Sequence, residues 1–113
     1  MMKARMFKES AQQGDVTFER VKSVPKGAKR VQPSNGRYIL AKGETGGHAH
    51  TIEAEGIECY ELDGKMYLKV LEEPSPVIHE EHGPVAPEEK GVFEVDRVLE
   101  FDYLADMRSR VSD

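Results

Sequence analysis

Long apolar runs are missing from this chain. Its uninterrupted hydrophobic stretches are a handful of residues each, against the ~20 that a membrane-spanning helix requires. The basic start, Met1-Met2-Lys3-Ala4-Arg5-Met6-Phe7-Lys8, does not lead into the apolar region of a secretory signal. Cysteine is scarce as well. Cys59 stands alone, so no internal disulfide forms, and a reducing, cytoplasmic setting is expected. Size is the third shortage. With 113 residues and 12.7 kDa the chain builds one modest core, which excludes a two-domain enzyme with its own nucleotide-binding half. Aromatic residues are 7% of the total, and none is interleaved with basic residues in the way that base-stacking surfaces need. Internal repeats and low-complexity segments are absent too.

Charge is plentiful, at 33% of residues, and unevenly spread. Residues 1–30 hold eight bases (Lys3, Arg5, Lys8, Arg20, Lys22, Lys26, Lys29, Arg30) and three acids (Glu9, Asp15, Glu19). That half-arm is therefore positive, while the remainder is acidic enough to bring the net charge to -5. A basic segment on an acidic body contacts phosphates or packs against its own body or a neighbouring subunit. A pI near 5.4 favours the second reading and argues against nucleic acid, for which residues 1–30 are the only candidate.

The pattern along the chain is that of short strands. Residues 1–12 are expected to form a basic, partly ordered arm, and 13–113 a single β-rich domain. Gln13-Gly14-Asp15 reads as a turn, and Val16–Val21 as a strand of β-formers. Pro33-Ser34-Asn35-Gly36 is a second turn, with Asn-Gly suited to positive φ. Arg37–Ala41 and His48–Glu53 read as strands on either side of the glycine-rich Gly43-Glu44-Thr45-Gly46-Gly47. Asp63-Gly64 between Gly56–Leu62 and Lys65–Leu71 is a type I′ hairpin signature. Val92–Phe101 reads as a long strand, with Val98-Leu99 hinting at a bulge, and Leu104–Val111 as a short helical segment. Seven or eight short strands punctuated by glycine and proline predict an all-β fold, a small barrel or sandwich.

The chemical signal lies in the histidines. All four fall in two pairs, His48-Ala49-His50 and His79-Glu80-Glu81-His82. On a strand His48 and His50 share a face, about 7 Å apart at the backbone, a spacing that lets two imidazoles grip one ion. His79 and His82 need a turn near Glu80 to meet, and Gly83-Pro84 favours one. The spacing is not that of the His-Glu-x-x-His zinc proteases, whose histidines sit four apart on a helix. Imidazoles suit Zn, Fe, Mn or Ni, and Glu44, Glu53, Glu80 or Glu81 would favour the harder ions. Three readings stand: a shared divalent-metal site, a hydrogen-bonded cluster without metal, and two unrelated surface pairs. With a coordination position open, Glu80 or Glu81 would serve as general base of a hydrolytic centre. Cys59, beside Tyr60 in a strand, reads as a small buried residue, and the glycine-rich loop lacks the lysine of a phosphate loop.

Two resemblances group these residues. His48-x-His50 followed by Glu55 resembles the first metal motif of cupins, jelly-roll barrels in which His-x-His, a later Glu and a distant His hold a metal. That resemblance implies His48, His50 and Glu55 or Glu53 as ligands, with His79 or His82 as the fourth. Here Gly43 stands one residue too close, and the second cupin motif is absent. A longer ordered series is Gln13-Gly14-Asp15-Val16, Gly43-Glu44-Thr45-Gly46-Gly47-His48-Ala49-His50, His79-Glu80-Glu81-His82-Gly83-Pro84 and Gly91-Val92-Phe93-Glu94-Val95. It resembles small uncharacterised proteins of bacteria and their phages. This implies that both histidine blocks serve one site, with Glu44 and Thr45 as further members. The expected function is divalent-metal binding, with enzymatic use left open and an unknown small molecule or protein as partner. The alternative is a non-enzymatic bacterial or phage accessory protein that acts through protein contacts, including self-association as a homo-oligomer.

Overall fold

The computed structural model describes residues 3–42, 49–72 and 76–97. Its elements are strands: β1 (Arg5–Phe7), β2 (Ser10–Gln13), β3 (Val16–Val21), β4 (Lys29–Val31), β5 (Arg37–Lys42), β6 (Ala49–Glu53), β7 (Ile57–Leu62), β8 (Lys65–Val70), β9 (Val85–Pro87) and β10 (Gly91–Arg97). The fold is all-β, as the punctuation of the sequence predicts. Among the described residues no helix is long and apolar enough to cross a membrane. The segment expected to be helical, Leu104–Val111, lies outside the described residues, as does the Val98-Leu99 pair.

One layer is a six-stranded sheet in the order β2-β3-β10-β8-β7-β4, antiparallel at every pairing. Its turns explain its register. Asp63 and Gly64 have φ of 50° and 84°, the two positive values that a type I′ turn demands, and they join β7 to β8 with Leu62 opposite Lys65. Alternation then places Ile57 and Cys59, Leu68 and Val70, Phe93 and Val95, and Val16 and Phe18 on one face, all buried. Cys59 is fully buried, as expected, and burial pushes its thiol up to about 12.

The second layer is assembled from smaller pieces. β5 and β6 form an antiparallel pair with a bulge between Ile39 and Ala41. β1 runs parallel to β9. Two isolated bridges join the pairs: Thr51 to Ile78, and Val77 to Val85. The layer therefore reads β5, β6, the 77–78 segment, β9, β1. Tyr38, Leu40, Ile52, Val77, Val85 and Phe7 belong to the same buried cluster as the six-stranded sheet, so the two layers face each other as a small sandwich. The sheets do not close into a barrel.

The N-terminal stretch, expected as a basic, partly ordered arm, contributes two strands to the sandwich. Residues 5–7 and 10–13 are strands, and Phe7 packs its ring against Phe18 and Phe93 at centroid distances of 5.8 and 5.4 Å. Burying one large aromatic ring outweighs the charge of its basic neighbours, which stay at the surface.

Candidate functional site

β6 brings the buried histidine into place. His50 and Ile52 lie on its inward face, and Thr51 on the other. The backbone of Thr51 exchanges two hydrogen bonds with Ile78, at 3.0 and 2.8 Å, which seats His79 beside His50. Val77 in turn exchanges two with Val85, at 2.7 and 3.2 Å. Residues 78–84 thus form a loop tied at both ends, and the chain bends at 80–82. The rings of His50 and His79 lie 4.3 Å apart, those of His79 and His82 4.8 Å, and those of His50 and His82 6.3 Å. Three of the four histidines thus form one stack, running from a fully buried ring to an exposed one. His48, Glu44 and Thr45 lie outside the described residues.

Among the described residues the buried polar side chains are Gln13, 2% exposed, and His50, 1% exposed. They are bonded to each other. His50 Nδ1 lies 2.8 Å from Gln13 Oε1, and Gln13 Nε2 donates to the carbonyls of Val77 (3.0 Å) and Gly83 (2.9 Å). Only an NH2 group satisfies two carbonyls, so the amide oxygen faces His50, and Nδ1 carries the proton. In the neutral ring the lone pair is then on Nε2. That atom faces Asp15 Oδ1 at 3.4 Å, while Asp15 Oδ2 accepts from Arg97 Nε at 2.6 Å.

The charges follow from this chain of contacts. Burial lowers the pKa of His50 below its ordinary value, the charge of His79 adds to the effect, and Asp15 opposes it without prevailing. For Asp15, burial pushes upward, but the bond and charge of Arg97 outweigh it and hold the carboxyl below its ordinary value. Near neutral pH an ionised carboxylate oxygen and an imidazole lone pair therefore face each other. Two acceptors in that arrangement repel unless a proton or a cation lies between them.

The remaining candidates are placed differently. Glu53 is exposed, lies on the face of β6 opposite His50 and pairs with Arg37 at 3.7 Å. Glu55 is exposed in the turn before β7. Neither is brought to the stack. Glu80 and Glu81 are exposed on the bend. The Glu81 amide donates to His79 Nδ1 at 3.0 Å, and Glu80 lines a hollow with His79, Ala49, Thr51 and Ile78. Among the described residues no group of three His, Cys, Asp or Glu side chains is posed to hold an ion.

Sequence reasoning did not assign roles to Gln13, Asp15 and Arg97. Gln13-Gly14-Asp15 reads as a turn, and it is one, closing β2 onto β3 with Gln13 opposite Val16. Gly14 does more than turn the chain. Its φ is +61°, and a Cβ there would stand 2.6 Å from His82 Nε2, so the bare backbone is where His82 rests. For Arg97 the available signal is parity, since it shares a face of β10 with Phe93 and Val95.

A model of a family described as a domain of unknown function (DUF8820) matches residues 12–98, and the chain belongs to that family. The matched span holds Gln13, Asp15, all four histidines and Arg97. No curated protein and no solved structure matches the chain.

Proposed function

We propose that the protein binds a divalent transition-metal ion, such as zinc, at the mouth of the histidine stack, with His50 Nε2 and Asp15 Oδ1 as the first two ligands. The observation that carries this reading is their separation of 3.4 Å. Two ligands of a tetrahedral zinc ion, each at about 2.0–2.1 Å, stand about 3.3 Å from one another. The surroundings agree with that assignment. Gln13 fixes the His50 tautomer from behind, as outer partners of metal-bound histidines do, and Arg97 occupies the other oxygen of Asp15.

His79 is the third ligand in this reading. Its ring is 4.3 Å from that of His50, and its Nδ1 now accepts from the Glu81 amide, so binding involves a turn of the ring or a change of tautomer. His82 and His48 are the further candidates. If a water completes the shell, Glu80 is the better placed general base, because it shares a hollow with His79.

Zinc titration of chelator-stripped protein, by calorimetry and thermal shift, tests the reading. One ion per chain is expected, with a raised melting temperature. Asp15→Asn and His79→Ala, both at partly exposed positions, should each weaken binding by roughly ten-fold or more. Absence of stoichiometric uptake of zinc, manganese or nickel by the stripped protein overturns it.

A further inference from the structure

A second feature lies on the far side of His82 and calls for a ligand of opposite charge. A hollow of about 320 Å³ opens between the start of β1, the β2–β3 turn and residues 82–85. Its walls include Lys3, Arg5, Gln12, Gly14 and His82. No acidic side chain among the described residues lines it, although the chain has 21 acids against 16 bases.

The cations here are not absorbed by the fold. Lys3 has no ion-pair or hydrogen-bond partner among the described residues. Arg5 Nη2 donates to the Gln12 carbonyl at 2.5 Å, which anchors the guanidinium at the wall, and its other N–H groups have no partner there. Elsewhere in the molecule some exposed bases pair with acids, as with Lys8 and Glu89, Arg30 and Glu58, and Lys65 with Glu94 and Asp96, while Lys22, Lys26, Lys29 and Lys90 make no ion pair among the described residues. What singles out Lys3 and Arg5 is that both line one hollow, with no acid among the described residues in its walls.

We propose that this hollow is a binding site for the phosphate group of a small molecule, held by Lys3 and Arg5. The guanidinium offers a planar fork that matches two oxygens of a phosphate, and the lysine adds a compact point charge. The size of the hollow is within the range of small-ligand sites. The assignment stands on Lys3 and Arg5 and is independent of metal binding at the stack.

The test uses chelator-stripped, dialysed full-length protein at low ionic strength, titrated with inorganic phosphate and with phenyl phosphate and followed by calorimetry and amide chemical shifts. Saturable binding of both is expected, with shifts centred on Gln12, Gly14 and Gly83. Lys3→Ala/Arg5→Ala should weaken it by roughly ten-fold or more. Both residues are exposed, so the fold survives the change, which unchanged urea unfolding will verify. Lys26→Ala/Lys29→Ala, beside the opposite sheet edge at β4, should leave the affinity as it was. The proposal is overturned if neither phosphate binds saturably, or if the Lys3/Arg5 variant binds as well as the parent. It is equally overturned if the control pair weakens binding as much, or if a short RNA binds where phenyl phosphate does not.

Discussion

The two layers of the sandwich are built on different terms. The six-stranded sheet is held by long antiparallel ladders, with six residue pairs between β10 and β3 and six between β7 and β8. The centre of its inward face is apolar, from Val16 and Phe18 to Leu68 and Val70, with Gln13 and Arg97 at its rim. The opposite layer is joined through two isolated bridges and a three-residue parallel pairing, and its inward face carries His50. Where the ladders are thin, side chains finish the work. Gln13, at the end of β2, reaches across to the carbonyls of Val77 and Gly83; within the six-stranded sheet, Arg97 at the end of β10 holds Asp15 in the β2–β3 turn. The first layer supplies the regular apolar face, and the polar groups lie where its rim, at Gln13, Asp15 and Arg97, meets His50 of the second.

Phe93→Ala should be the most damaging single change, costing about 3–5 kcal/mol. Phe93 is fully buried in the regular sheet and meets the edge of Phe7 from the other layer. Urea unfolding should show one cooperative loss reported equally by both layers. Gln13→Ala should cost less, about 2–4 kcal/mol, because it leaves two carbonyls and the buried His50 N–H without their partner. Here the comparison sharpens. Hydrogen exchange should speed up at the amides of Val77, Ile78 and Val85 while those of β7 and β8 keep their protection, whereas equal loss in both layers would show that they do not differ in this way.

The smallest effect is that of acid on the metal-free protein. The folded-state pKa of His50 lies below the ordinary 6.5, so the unfolded chain takes up that proton first as pH falls. Stability from this group is present above pH 6.5 and is lost as pH falls through the folded value. Asp15, also lowered, adds a second loss that begins near its ordinary 3.8. Urea midpoints should therefore fall on acidification before the carboxylate range is reached, and a flat profile between pH 7 and pH 5 would remove the buried neutral His50 from the account.

Legibility in the sequence follows the same division. The β7–β8 hairpin is readable because Asp63-Gly64 fixes the register locally and alternation repeats over six residues on each side. β1, β4 and β9 are not, because three residues carry too little pattern, and the pairing of β1 with β9 spans most of the chain. The meeting of the histidine pairs was readable in part. His79 and His82 do come together at a bend, yet what seats them beside His50 is the Thr51–Ile78 bridge, which leaves no local trace. Gln13 was invisible as a site residue because a glutamine beside Gly-Asp reads as a surface turn, and only the three-dimensional demand of two carbonyls and an imidazole buries it.

The contact between Asp15 and Arg97 joins positions 82 residues apart. During synthesis the carboxylate emerges early and its guanidinium partner almost at the end of the described chain. Until β10 has left the ribosome and docked between β3 and β8, Asp15 has neither that bond nor the neighbouring charge that holds its carboxyl below its ordinary value. The pair therefore closes only once β10 is in place, and a chain interrupted before β10 lacks it.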